Sequence, residues 1–382
     1  MCACASEDVL HPLFKAPYIL ERCSGPAPLP PKVAHLTASL LSLATAVPPF
    51  PISQSEAKAT GRALFAGKLA LFDRLAGVFD NGGIDERQLV APLAWYGENH
   101  GWAERNRTYL DAADALFVEA AKGAIAGAGL RADQIDGVVA VSTTGIATPS
   151  LDARNAVALG LRPDVRRVPV FGLGCAGGVT GLATAARLAG AEPGSNWLFV
   201  TVETCSISIR LDSDDPAAIV ATALFGDGAA AAVISTEGQA LARIEGGGEK
   251  LWPGTLGIMG WRVEDPGLAV VFDRAIPPFL HNNLREGVDT ILAGMGRSLG
   301  DFDRLCCHPG GAKVLVAIEA ALELPEGALD LEREVLRAHG NMSAPTVMFV
   351  LKALLARGLP ESVLMTALGP GFTLAALALS RP

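Results

Sequence analysis

Short apolar runs alternate with alanine-rich, helix-forming stretches along most of this chain. A strand with alternating apolar residues is predicted over 33–46, and apolar runs predict buried strands over 137–142 and 168–173. Helical patterns cover residues 109–128 and 181–189, both rich in alanine. This succession of strands and helices predicts an α/β fold.

Proline and glycine mark the predicted boundaries of an arm and two halves. Residues 1–32 are irregular and rich in proline, which predicts an extended N-terminal arm. Glycines at 246–248, followed closely by Pro253, predict a boundary near the middle of the chain. We therefore expect a first half over 33–245 and a second half over 246–382.

Three landmarks of the first half recur in the same order in the second half. They are Asp136-Gly137-Val138 with Asp303-Arg304-Leu305, Gly174-Cys175 with Gly340-Asn341, and Gly226-Asp227-Gly228 with Gly369-Pro370-Gly371. This order suggests an ancient duplication of one α/β unit. If so, the helices after Cys175 and Asn341 are equivalent and meet near the centre, where they can gather distant residues into one pocket.

Charge and cysteine content narrow the classes of function. A formal net charge of −9 argues against a nucleic-acid partner, because phosphate contacts need a basic face. The seven cysteines are scattered without zinc-site spacing, which indicates reduced thiols in a cytoplasmic protein. The sequence shows no secretory leader and no apolar run of about 18 residues, so we expect a protein that is neither exported nor membrane-spanning.

Cys175 is the first candidate for chemistry. It lies in Gly172-Leu173-Gly174-Cys175-Ala176-Gly177-Gly178, between a predicted strand and a predicted helix. At a helix N-terminus, unpaired N–H groups favour an anion, so this position is expected to lower the pKa of the thiol. The alternative is a buried, inert cysteine.

His308 and Asn341 each follow a predicted turn and have an alternative structural role. His308 ends an apolar run and begins His308-Pro309-Gly310-Gly311, which places it at the end of a strand, where α/β folds bind ligands. A histidine there can also be an ordinary core residue. Asn341 stands before a predicted helix, where it can cap the helix or donate N–H groups to an oxyanion. These two roles are compatible.

Six motifs in order resemble the type III polyketide synthases of the chalcone synthase superfamily, and the resemblance covers roughly residues 33–380. They are Thr143-Thr144-Gly145, Gly174-Cys175-Ala176-Gly177-Gly178, Leu224-Phe225-Gly226-Asp227-Gly228, His308-Pro309-Gly310-Gly311, Gly340-Asn341-Met342-Ser343 and Gly369-Pro370-Gly371. The resemblance implies a five-layer αβαβα thiolase-like fold built from two duplicated halves, and a homodimer. It also implies acyl-CoA and malonyl-CoA as substrates, with no cofactor and no metal.

The resemblance also assigns roles to individual residues. Cys175 matches the nucleophile, His308 and Asn341 match the catalytic pair that binds the malonyl thioester oxygen, and Phe225 matches an aromatic gatekeeper. The implied pocket positions are Thr143, Thr148, Cys205, Ser208, Gly260, Val270 and Ser343. Lys313 and Arg74 are the candidate CoA contacts, and surface residues without a ligand are the alternative for both.

The small, mostly apolar pocket positions favour an aliphatic starter. Together with a similarity to bacterial alkylresorcinol and alkylpyrone synthases, they predict an acyltransferase that condenses a medium- or long-chain acyl-CoA with malonyl-CoA. Cyclisation would then give an alkylpyrone or alkylresorcinol. The alternatives are a malonyl-CoA-primed tetrahydroxynaphthalene synthase, for which Cys205 is suggestive, and a ketoacyl-carrier-protein synthase III. A different class is a catalytically silent thiolase-fold binding subunit.

Overall fold

The computed structural model describes residues 38–65, 67, 69–210 and 215–382. The predicted arm over 1–32 and the first residues of the strand predicted from residue 33 lie outside this part. The strands are β1 Ala38–Ala46, β2 Phe50–Ser53, β3 Glu86–Leu89, β4 Gly137–Val141, β5 Arg166–Val170, β6 Asn196–Thr204, β7 Asp227–Ser235, β8 Ala242–Leu251, β9 Met259–Glu264, β10 Gly267–Phe272, β11 Arg304–Cys307, β12 Ser362–Gly369 and β13 Thr373–Ser380.

Helices connect most of these strands, as the α/β prediction expects, although β7 to β10 follow one another without a helix. The helices are α1 Gln54–Leu64, α2 Leu69–Leu75, α3 Gly77–Asn81, α4 Leu93–Tyr96, α5 Trp102–Gly127, α6 Leu151–Leu159, α7 Gly177–Ala191, α8 Pro216–Leu224, α9 Ile276–Gly294, α10 Ala312–Leu322, α11 Asp330–His339 and α12 Ala344–Arg357. Helix α5 starts at Trp102, whereas the apolar periodicity predicted a helix only from residue 109. The residues between these two positions are mostly polar, so they lack the apolar pattern on which the prediction depends.

Nine strands of the described chain form one mixed sheet, in the order β11-β12-β13-β8-β1-β7-β6-β4-β5. Each half of this sheet has the same arrangement. β1 pairs antiparallel with β7, β7 antiparallel with β6, and β6 parallel with β4. In the other half β8, β13, β12 and β11 repeat these relations in the same order. The two halves join where β1 pairs antiparallel with β8.

The core is arranged in five layers. Helices α7 and α12 form the central layer, and their apolar side chains pack with residues from both halves of the sheet. Helix α5 covers the outer face of the first half, and α9 and α10 cover the outer face of the second. This αβαβα order confirms the predicted thiolase-like fold class. Sheets covered on both faces explain why β6 and β7 are buried along almost their whole length.

Strand β5 differs from its prediction. The apolar pattern over 168–173 predicted a buried strand, whereas β5 covers Arg166–Val170 and its side chains are exposed or half-buried. The reason is topological, since β5 lies at the edge of the described sheet and pairs only with β4. Just beyond it, Phe171 is 61% exposed.

Candidate active site

Cys175 lies in a tight turn between β5 and α7. Residues Gly174–Ala176 form a short 3-10 helix that runs directly into α7. Gly174 has a φ of 48°, and a Cβ there would approach Pro370 to 2.7 Å. The N–H of Gly174 donates to the hydroxyl oxygen of Thr143 at 3.2 Å. The glycine is therefore needed both for the turn and for the close approach of Pro370, and the thiol of Cys175 is buried at the helix start.

His308 follows β11 at the carboxyl end of the strand, as predicted. Its backbone N–H donates to the carbonyl oxygen of Thr366 on β12 at 2.9 Å. Its side chain is buried, yet neither ring nitrogen hydrogen-bonds any described residue. Buried polar atoms are usually paired, so two unpaired nitrogens leave a donor and an acceptor for a ligand or for Cys175.

Asn341 is held by its backbone to the segment that carries Phe225. Its N–H donates to the carbonyl of Leu224 at 2.8 Å, and its own carbonyl accepts from Gly226 at 3.1 Å. Its Nδ2 donates to the carbonyl of Gly310 at 3.1 Å, and its Oδ1 accepts from the N–H of Ser343 at 2.8 Å. An amide nitrogen has two hydrogens, so one is still available for a ligand.

The capping prediction for Asn341 needs a correction. The N-cap of α12 is Ser343, and Asn341 stands two residues before it. Its side-chain oxygen therefore stabilises the turn that leads into the helix rather than the first helical N–H groups.

Cys175, His308 and Asn341 line one cavity of about 170 Å³. Most of the remaining lining is apolar and comes from both halves of the fold: Val220, Leu224, Met259, Phe272, Ile276, Pro277, Val314, Leu368 and Phe372. Residues distant in sequence thus meet at one place, because α7 and α12 converge at the centre. The arrangement puts a thiol, an imidazole and a carboxamide around a largely apolar space.

A smaller cavity of about 30 Å³ lies on another side of Cys175. Five of the predicted pocket residues line it: Cys205, Phe225, Gly260, Val270 and Ser343. Trp261 and Phe272 also line it, and their ring centres lie 5.8 and 5.5 Å from that of Phe225. Sequence reasoning missed Trp261, and its only signal was a tryptophan beside a glycine that had been assigned to the pocket.

The other predicted residues lie outside both cavities. Thr143 supports the Cys175 turn through Gly174, and Ser208 donates its hydroxyl to the carbonyl of Cys205 at 2.7 Å. Thr148 is exposed. Lys313 and Arg74 are exposed as well, and Lys313 immediately precedes Val314, which lines the larger cavity.

Burial moves the pKa values of the two reactive groups in opposite directions. It raises the pKa of the Cys175 thiol to about 12, although a hydrogen bond with Ser343 acts the other way. It lowers the pKa of His308 to about 3. Desolvation is the largest cause for both and penalises each charged form, so the shift at Cys175 is opposite in direction to the one expected from the helix N-terminus.

Sequence reasoning also missed a buried carboxyl group behind the site. Glu203 on β6 accepts hydrogen bonds from the N–H of Thr143 and from both the N–H and the hydroxyl of Thr144, at 2.8–3.1 Å. Burial raises its pKa to about 7. A glutamate within the apolar run of β6 was the available signal. Through Thr143 this carboxyl is linked to the turn that carries Cys175.

The described residues contain neither a metal-binding cluster nor a helix that could span a membrane. No group of three or more His, Cys, Asp or Glu side chains in that part of the chain is arranged to hold a metal ion. No helix within the same residues is both long and apolar enough to cross a membrane.

A cysteine at the start of a central helix that lines one cavity with a histidine and an asparagine from the other half of a five-layer fold is the arrangement of a thiolase-like condensing enzyme. Two family models match the chain, one for the N-terminal domain of chalcone and stilbene synthases over residues 99–238 and one for their C-terminal domain over residues 244–381. The chain belongs to the chalcone and stilbene synthase family and is a type III polyketide synthase. These acyltransferases use CoA thioesters as substrates.

Individual relatives resemble the chain over most of its length. A 1,3,6,8-tetrahydroxynaphthalene synthase from Streptomyces peucetius subsp. caesius is 38% identical over 87% of this chain and 90% of its own. Pks18 of Mycobacterium tuberculosis, described as an alpha-pyrone synthesis polyketide synthase-like protein, is 28% identical over 91% of this chain and 92% of its own. The crystal structure of the Streptomyces coelicolor tetrahydroxynaphthalene synthase has a TM-score of 0.84 at 27% identity and covers 90% of this chain and 99% of its own.

Proposed function

We propose that the protein extends a small acyl starter with malonyl-CoA units on Cys175 and that malonyl-CoA itself supplies the starter, as in a tetrahydroxynaphthalene synthase. The main support for condensing chemistry is that Cys175, His308 and Asn341 line one cavity. The size of the space around Cys175 supports the choice of starter.

Loading begins with proton transfer inside the cavity. A ring nitrogen of His308 accepts the thiol proton of Cys175, and the sulfur attacks the starter thioester carbonyl. The C–S bond to CoA breaks, and the CoA thiolate takes the proton from the imidazolium and leaves as a thiol. Burial opposes each charge by itself, but the transfer creates a pair of opposite charges that attract strongly in a low-dielectric site. Ionisation of the thiol is thus coupled to the histidine.

Extension uses the N–H donors of the same cavity. The thioester oxygen of malonyl-CoA accepts hydrogen bonds from the His308 ring and from the free Nδ2 hydrogen of Asn341. These donors stabilise the enolate that forms when carbon dioxide leaves. The enolate carbon then attacks the Cys175 thioester and expels the sulfur, and the lengthened chain can return to Cys175. Phe225 supplies an apolar wall that disfavours the malonyl carboxylate.

The volumes around Cys175 favour a short starter. The two cavities measure about 170 and 30 Å³. By comparison, a protein cavity of about 150 Å³ holds one benzene ring. At the loading step a malonyl group is small enough for this space, whereas a long fatty acyl group such as palmitoyl needs far more apolar space. The 38% identical relative named as a tetrahydroxynaphthalene synthase supports the same choice.

A fatty acyl starter with alkylpyrone or alkylresorcinol formation is the second candidate. The almost wholly apolar lining of the larger cavity favours it, as does the similarity to Pks18. In this case the acyl chain would occupy space toward Leu224 and Val314, and Cys175 would still carry it.

Product analysis separates the candidates. We would incubate the purified full-length protein with malonyl-CoA alone, then with octanoyl-CoA or palmitoyl-CoA added, and follow acylated Cys175 and released products by mass spectrometry. We expect product from malonyl-CoA alone. Pyrones that form only with an added fatty starter would favour the second candidate. A single extension that depends on a carrier protein would indicate a ketoacyl synthase, and no acylation of Cys175 would indicate a silent binding subunit.

Variants of the three residues test the proposed roles. Asn341→Ala should lower kcat for malonyl-CoA decarboxylation about 100- to 1000-fold, as the loss of one oxyanion donor does elsewhere. Cys175→Ala should stop condensation but leave slow decarboxylation, because the donors are intact. Asn81→Ala, at the exposed end of α3, is the matched control. Full decarboxylation by Asn341→Ala would restrict Asn341 to a structural role.

Other features of the resemblance are kept as proposals. We propose a homodimer and a cytoplasmic location, with Lys313 and Arg74 as CoA contacts and Thr148 completing a pocket. The exposed edge strand β5 and Phe171 support an interface between two copies. We also propose the division into halves near residue 245, and the matched family domains, which end at residue 238 and begin at residue 244, support it.

A further inference from the structure

Strand β11 ends immediately before His308 and lies at one edge of the described sheet. It pairs only with β12 there, in parallel. The N–H of His308 donates to Thr366 on β12, so the preceding N–H, that of Cys307, points to the opposite, open side of the strand. A buried N–H without a strand neighbour needs another acceptor.

Glu332 supplies that acceptor. Its Oε1 accepts the N–H of Cys307 at 3.2 Å, and its Oε2 accepts from the guanidinium of Arg304 at 2.5 Å. Arg304 is the first residue of β11 and also donates to the carbonyl of Ala328. The side chain of Glu332 is 0% exposed. One carboxylate therefore holds both ends of the strand.

The helix that carries Glu332 also leads to Asn341. Glu332 lies in the first turn of α11, and α11 ends at His339, two residues before Asn341. Ten helical residues span about 15 Å, so a single rigid element connects the anchor of β11 to the second donor of the site. The Nδ2 of Asn341 in turn donates to the carbonyl of Gly310.

His308 has little else to orient its ring, since neither ring nitrogen bonds a described residue. Its placement thus depends on its backbone and on packing. We propose that Glu332, supported by Arg304, is the positioning residue for His308. The inference rests on the decarboxylation proposed above. A misplacement of about 1 Å can cost a reaction about 100-fold, so this anchor is large enough to matter.

Substitutions at Glu332 and Arg304 distinguish positioning from simple stabilisation. Glu332→Ala should lower kcat for malonyl-CoA decarboxylation about 10- to 100-fold and change KM less than about twofold. Glu332→Gln should be intermediate, because its one amide oxygen must serve both Arg304 and Cys307. The double variant Arg304→Leu with Glu332→Gln leaves that oxygen to Cys307 and should recover most of kcat. Glu334→Ala, an exposed residue of the same helix paired with Arg357, is the control.

Two further measurements keep the test decisive. Melting temperatures of all variants separate loss of folding from loss of kcat, and if Glu332→Ala does not fold, the Gln variant and the double variant decide. NMR of the His308 ring, assigned with His308→Gln, should show a shift in Glu332→Gln that the double variant reverses, whether or not the protein decarboxylates malonyl-CoA. An inactive native protein would overturn the proposed function alone. Unchanged kcat together with an unchanged His308 signal would overturn the positioning role.

Discussion

Trp261 faces Val270 across the β9–β10 pair, and both side chains line the smaller cavity beside Cys175. The indole packs 5.8 Å from the ring of Phe225, centre to centre. Val270 is a small residue and by itself would leave this side of the cavity open. The cavity is nevertheless about 30 Å³, because the large residue stands on the opposite strand.

Replacing Trp261 should change the choice of starter. Trp261→Ala is expected to raise kcat/KM for octanoyl-CoA about tenfold, because burial of roughly two more methylenes contributes about 1.6 kcal/mol. Trp261→Phe keeps an aromatic ring and should stay close to the native protein. Competition between octanoyl-CoA and malonyl-CoA as starters, read by mass spectrometry, measures the effect. If the native protein, Trp261→Ala and Trp261→Phe showed the same starter preference, Trp261 would not determine which starter is used.

At the scale of elements, the site depends on how closely α7 and α12 approach each other. Helix α7 begins with Gly177 and Gly178, and helix α12 begins with Ala344. A Cβ at Gly178 would lie 2.4 Å from the carbonyl oxygen of Ala344, so only glycine permits this contact. The contact brings the turn of Cys175 against the helix that follows Asn341.

A methyl group at Gly178 should therefore separate the two helices. Gly178→Ala is expected to destabilise the fold by about 1–3 kcal/mol through overpacking and to reduce condensation more than its effect on stability explains. Gly257→Ala is the control, since a Cβ there meets nothing within 4 Å. Thermal unfolding and product formation are measured together. A Gly178→Ala protein with the native melting temperature and native activity would contradict the close contact.

At the scale of the whole molecule, buried ionisable groups make stability depend on pH. Burial raises the pKa of Glu203 from 4.5 to about 7 and that of Asp227 from 3.8 to about 6. Between pH 4.5 and 7 for Glu203, and between pH 3.8 and 6 for Asp227, the folded state binds more protons than the unfolded state. The contribution of both groups to the free energy of unfolding therefore falls as pH rises through these ranges. His308, with its pKa lowered from 6.5 to about 3, acts in the opposite sense, and its contribution rises between pH 3 and 6.5.

Removing the Glu203 carboxyl isolates its part of this balance. Between pH 4.5 and 7 the native protein should lose stability relative to Glu203→Gln by about 3 kcal/mol, because each unit of pKa shift corresponds to about 1.36 kcal/mol. The His308 and Asp227 contributions are common to both proteins and cancel. Melting temperatures of the two proteins across this range provide the measurement. Parallel curves would mean that Glu203 does not titrate there.

The sequence alone determined the elements around Cys175 and His308 and the duplicated α/β fold, because local patterns encode them. Strand, glycine turn and helix follow each other around Cys175, and a glycine turn follows His308, so the type of element and the place of these side chains within it could be predicted together. The repeated landmarks likewise predicted the duplicated fold, because strand and helix periodicity depend on near neighbours.

Only the tertiary structure decided which other residues reach the site. Trp261 packs against Phe225 from the other half of the fold, whereas Glu203 and Glu332 contact segments of their own halves that are distant in sequence. No local pattern records such contacts. The edge position of β5 and the burial that shifts the pKa values of Cys175 and His308 are also consequences of topology. Exposure, desolvation and cavity size depend on long-range packing, which a linear pattern does not specify.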